Sequence, residues 1–99
     1  MKLPQDWFRA DLEDKERYGK ELNLEMLPGH FLFSKSIEVY AHRDDATDDI
    51  LCRHIDSDDL YTVVHLTWSM RPEIDNVHPT VEFHGSYEEF LQYNSKLFN

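Results

Sequence analysis

The sequence predicts an α+β fold: an antiparallel meander of about four strands, an N-terminal helical segment, and a C-terminal helix packed on one face of the sheet. Three observations carry this. Between Phe31 and Phe83 the pattern is that of strands: residues 37–42 alternate with period two, and β-branched and aromatic runs follow. Short connections between those runs favour antiparallel pairing of consecutive strands. The chain then closes with a capping-box signature followed by an apolar stripe of helical period.

Taken in order, Pro4 suits a first helical turn, where its missing N–H would go unused. Trp7, Phe8 and Leu12 make a short apolar stripe before Glu13-Asp14-Lys15-Glu16-Arg17 interrupts it with charge. Gly19 marks a weak point. Leu22, Met26 and Leu27 resume helical spacing until Pro28-Gly29 ends it. Residues 1–18 therefore read as a helical extension with an aromatic face to bury, and 19–99 as an α+β core within one domain.

Residues 37–42 alternate as a strand with one buried face, and the polar connection 43–49 leads to a second strand at 50–55. Asp56-Ser57-Asp58-Asp59 is a turn of residues that hydrogen-bond their own backbone. Residues 60–68 are β-branched and aromatic on both faces, which marks a central strand. A loop with Pro72 and Pro79 precedes a shorter strand at 80–84. Ser86 and Glu89 fit a capping box, and Tyr87, Phe90, Leu91, Asn94, Leu97 and Phe98 recur along one helix face.

Twenty acidic residues against ten Lys and Arg leave a net charge of −10. That balance opposes approach to nucleic acid or an anionic membrane and favours a basic protein partner. Cys52 is the only cysteine, so no internal disulfide forms; with no apolar leader or spanning run, a cytoplasmic location is expected.

The middle and end of the chain resemble a family of small bacterial proteins of unassigned activity. The resemblance is carried by Pro28-Gly29-His30, Asp48-Asp49-Ile50-Leu51, the run Val63-Val64-His65-Leu66-Thr67-Trp68, the loop prolines, and Ser86, Glu88, Glu89 and Phe90. It spans about residues 22–91 and implies the fold without an activity or cofactor. The chain departs from the family pattern at Met70-Arg71, where Gly-Lys stands in the family, and at His78, where Trp stands.

Six histidines (His30, His42, His54, His65, His78, His84) are the notable chemistry, yet no HExxH, H-x-H or Cys-His spacing forces them together. Pairing Ile55 with Tyr61 would set His54 opposite Thr62 and His65 opposite Leu51, on opposite faces; a one-residue slip would unite them. The Asp44, Asp45, Asp48, Asp49 and Asp56, Asp58, Asp59 clusters lack the glycine and distal glutamate of an EF-hand loop and read as solvated turns. Cys52 reads as a small core residue. Trp68 caps the core or floors a small pocket, with His65 and Arg71 as the other ligand-pocket candidates.

The leading expectation is a non-enzymatic acidic interaction module, inhibitor- or immunity-like. Its partner-surface candidates are Trp7, Phe8, Leu12, Asp44, Asp45, Asp58 and Asp59. Two alternatives stand beside it: a homodimer joined through the N-terminal stripe, and a small metal- or ligand-binding enzyme using His65 with a neighbouring carboxylate or histidine. No catalytic residue, metal ligand or cofactor is assigned from sequence.

Overall fold

Two strands that are apolar on both faces decide the architecture: β3 (Asp49–His54) and β4 (Tyr61–His65). Such strands must be covered above and below. In the computed structural model, which describes residues 3–43, 49–68 and 79–97, they lie at the middle of a five-stranded antiparallel sheet of order β1-β2-β3-β4-β5. The other strands are β1 (Trp7–Arg9), β2 (Ile37–Arg43) and β5 (Thr80–Gly85). Helices α1 (Leu12–Glu25) and α2 (Tyr87–Leu97) complete the α+β fold.

One face of the sheet, with Val39, Ile50, Cys52, Val64 and Leu66, packs under Leu22 and Met26 at the end of α1 and under Leu32 of the segment that follows. The other face, with Ala41, Leu51, Tyr61 and Val63, packs under Tyr87 and Phe90 of α2. Two β-bulges tune this division. The register jumps between Val39 and Ala41, so Tyr40 is an extra residue and joins Ala41 on the α2 side. A second jump between Val63 and Val64 makes Glu82 the extra residue of β5.

The fifth strand corrects the reading of the N-terminus. Trp7, Phe8 and Arg9 are extended and pair with Arg43, His42 and Ala41, where a helical stripe with Leu12 is expected from sequence. The strand splits that stripe. Trp7 is buried in the α2-side core, edge-on to Phe90 at 5.3 Å, and its indole N–H donates to Asn94 Oδ1 at 2.9 Å. Phe8 and Leu12 are exposed. The apolar face proposed to join two copies is therefore not assembled, and Trp7 is not available as partner surface.

The N-terminal helix begins at Leu12, capped by Asp11, whose side chain accepts from the Asp14 N–H while Asp14 bonds back to the Asp11 N–H. Gly19 does not break it. Burial of Glu21, Leu22 and Glu25 against the sheet overrides the weak propensity of one glycine. At the other helix the expected capping box forms, with Glu89 N–H to Ser86 Oγ at 3.2 Å and Ser86 N–H to Glu89 Oε1 at 2.9 Å. Asp59 adds a third bond by accepting from the Tyr87 N–H. Gly85 before it lets the cap sit close: a Cβ there would lie 2.8 Å from a Glu89 carboxylate oxygen and 2.9 Å from the Phe83 ring, so both side chains would have to shift.

The segment between α1 and β2 is fastened by His30. Its Nδ1 accepts from the Leu32 N–H at 3.0 Å, so the proton sits on Nε2, which donates to the Pro79 carbonyl at 2.6 Å. This buried histidine is a structural pin. It closes the α1 side of the sheet over β5.

Two expectations follow from the split N-terminus. Trp7→Ala is expected to cost about 3–5 kcal/mol in denaturant unfolding, and Phe8→Ala under about 1 kcal/mol, because only Trp7 leaves a cavity. A Cβ at Gly19 meets open space, so Gly19→Ala is expected to raise the unfolding free energy by about 0.4–1 kcal/mol.

Candidate functional site

The register carries a row of polar side chains across the sheet beneath the C-terminal half of α2. Trp7 pairs with Arg43, and Asp49 pairs with His65. The buried Arg43 guanidinium donates to Asp49 Oδ2 at 3.0 Å and to Asp6 Oδ2 at 3.2 Å. His65 Nδ1 lies 2.8 Å from Asp49 Oδ1. A carboxylate held in an ion pair only accepts, so His65 donates Nδ1–H to it and keeps its lone pair on Nε2. Asp49 is buried while the His65 side chain is 42% exposed, so the ring is oriented from below and open above.

Glu82 completes the group. As the bulged residue it falls on the His65 side of the sheet, and one ligand atom each from Asp49, His65 and Glu82 lie within 4.8 Å of one another. Tyr93 of α2 senses the local field: burial pushes its phenol up, the charges of Asp49 and Glu82 add to this, and Arg43 opposes them. The arrangement can serve as a metal-ligating cluster, or as an imidazole base oriented by a carboxylate.

A second constellation lies at the opposite end of the sheet. The Thr62 hydroxyl sits between His54 Nε2 at 2.7 Å and His84 Nδ1 at 2.8 Å. With one proton to give, it donates to one ring and accepts from the other. Burial holds His54 below its ordinary pKa, helped by the neighbouring His84 and Lys35. Phe31, Lys35, Ser36, Asp56, Leu60 and His84 border a groove here of about 350 Å³. The segments bearing them are joined by Ile55 N–H to Ser36 O at 2.9 Å. Phe31, Phe33 and Ile55 are each about half exposed on these two segments, and Asp56 and Asp58 are exposed on the second.

A third group lies where α1 ends. Glu25 is fully buried and accepts from the N–H groups of Thr67 and Trp68 at 2.9 and 2.8 Å. Trp68 has φ 56°, in the left-handed region that bulky residues seldom adopt, and the two successive N–H groups meet one carboxyl group. Burial and a hydrogen bond with Glu21 push the Glu25 carboxyl up to about 7, against the opposing pull of the two backbone donors.

The candidates named from sequence are thus dispersed. His65 faces α2, whereas Trp68 packs with Tyr18 at 5.7 Å on the α1 side. Arg71, Asp44 and Asp45 lie outside the described residues. Asp58 is exposed, and Asp59 is committed to the start of α2. Cys52 lies fully buried on the α1 face, where burial pushes its thiol up to about 12 and makes it inert. Sequence reasoning placed His65 opposite Leu51 and so missed Asp49. The same shift set Thr62 opposite Cys52, although His54 still reaches its hydroxyl. No family model, curated protein or solved structure matches the chain, so the chemistry rests on this geometry.

The Glu25 carboxyl gives a pH expectation. Its folded value of about 7 lies above the ordinary 4.5, so the native state holds a proton that the unfolded chain has released. The contribution is complete below about pH 4.5 and is lost as pH rises through about 7. Glu25→Gln, which cannot titrate, is expected to lose less stability than the parent chain between pH 5 and pH 8. Urea midpoints of both proteins across that range check it.

Proposed function

We propose that the protein is a non-enzymatic interaction module that docks a basic polypeptide partner at the end of the sheet formed by residues 31–36 and 54–60. The observation that carries this reading is the pairing of exposed apolar anchors with a negative rim. Phe31, Phe33 and Ile55 stand about half exposed on two segments joined by a backbone hydrogen bond, and Asp56 and Asp58 are exposed on the same segment as Ile55. Interfaces commonly centre on such aromatic and aliphatic anchors within a polar rim.

Charge sets the sign of the partner. The chain carries −10 overall, and within residues 31–36 and 54–60 Asp56, Asp58 and Asp59 outnumber Lys35. Such a field accelerates encounter with a basic surface and repels acidic ones. An inhibitor- or immunity-type role, masking a basic surface on the partner, fits this chemistry.

The test is capture from native-host lysate with three baits matched for unfolding midpoint: the parent chain, Phe31→Ser/Ile55→Ser, and Asp56→Asn/Asp58→Asn. The captured protein is then purified and its affinity measured against salt. One basic partner, weakened by both pairs of substitutions and released as salt rises, is the expected result. A neutral or acidic partner, equal binding by all three baits, or no partner at all would contradict it.

A further inference from the structure

The polar row under α2 lies at the far end of the sheet from the proposed docking surface and is not used by it. We infer that Asp49, His65 and Glu82 form a binding site for a divalent transition metal of the zinc class, each giving one ligand atom, with water completing the shell.

Three features of the site support this. The first is its ligand set and spacing: one imidazole and two carboxylates, with donor atoms within 4.8 Å of one another, on three adjacent strands. Zinc takes such nitrogen and oxygen ligands at about 2.0–2.2 Å, and catalytic-type sites use three protein ligands with an open position. Tetrahedral ligands at that range lie about 3.4 Å apart, so the Asp49–His65 contact of 2.8 Å opens by roughly half an ångström. With Nδ1 as the ligand, the ion takes the place of the proton shared with Asp49, and that proton passes to Nε2.

The second feature is the backbone. Glu82 reaches this side of the sheet only because β5 carries an extra residue opposite Val63. Bulges of this kind re-aim side chains and recur beside functional sites. The ligands sit on strands of the sheet itself, which hold donor positions more firmly than loops do.

The third is charge and second-shell support. Among the described residues, Asp6, Asp49 and Glu82 set three carboxylates against one guanidinium, Arg43, which leaves two negative charges when His65 is neutral. A divalent ion would balance them. Arg43 would stay on Asp49 Oδ2 and leave Oδ1 for the metal, much as outer partners orient metal-binding carboxylates elsewhere. The mixed donor set selects against magnesium and calcium, which prefer oxygen alone.

The experiment titrates the metal-free full chain with zinc chloride by calorimetry, and with cobalt chloride by visible absorption. The baits are the parent, His65→Ala, Glu82→Gln and, as a histidine control outside the site, His84→Ala. The expected result is one ion per chain, a cobalt spectrum with nitrogen and oxygen ligation, and affinity lowered about tenfold or more, at least 1.4 kcal/mol, in His65→Ala and Glu82→Gln only. Glu82→Gln changes an exposed side chain and so reports even where His65→Ala fails to fold. No uptake, equal uptake by Glu82→Gln, loss in His84→Ala instead, or full competition by millimolar magnesium or calcium would each overturn the assignment.

Discussion

The pairing of β3 with β4 is the constraint on which the rest depends. Its register, from Asp49 opposite His65 to Arg53 opposite Tyr61, puts apolar residues on both faces of the sheet's middle. A two-sided strand pair cannot stay open to water on either side. Helix α1 and the segment after it therefore cover one face, and α2 covers the other. Once the pair is fixed, its two ends are fixed as well, and each gathers polar residues that the two cores exclude. At one end Asp49 meets His65; at the other, Thr62 joins His54 and His84.

A buried guanidinium under α2 needs compensation, because an isolated charge there would be costly. Arg43 lies between Asp6 and Asp49 and over the Trp7 ring at 5.6 Å, and Asn94 links the Trp7 indole to the same network. This explains why so short a strand as β1 is held at the sheet edge. Its three residues gain from side chains on β2 and α2 as well as from the ladder. It also supplies Asp49 with a fixed partner on one oxygen, which leaves the other oxygen for His65.

Much of this fold was legible in the sequence. Period-two alternation marks β2, apolar and β-branched runs mark β3 to β5, and the Ser86–Glu89 box and its apolar stripe mark α2. β1 was not legible, because three residues are too few to show a period, and Trp7, Phe8 and Leu12 mimic a helical face. The turn is two residues longer than the sequence suggests, so Tyr61 pairs with Arg53 rather than with Ile55. An even shift preserves faces, so His54 and His65 remain on opposite sides although their partners change. The bulge at Glu82 left no mark at all. In regular alternation Glu82 and His84 share a side; the inserted residue parts them and brings Glu82 to His65.

The most direct test of this account is the imidazole nitrogen spectrum of His65 in the metal-free protein at neutral pH, read beside Asp49→Asn. If β3 and β4 pair as described, His65 is held as the Nδ1–H tautomer by the Asp49 carboxylate, and the substitution releases it toward the mixture of free histidine. A parent spectrum already at that mixture, or with the proton fixed on Nε2, would mean that Asp49 and His65 are not paired and that the register at the centre of the sheet is wrong.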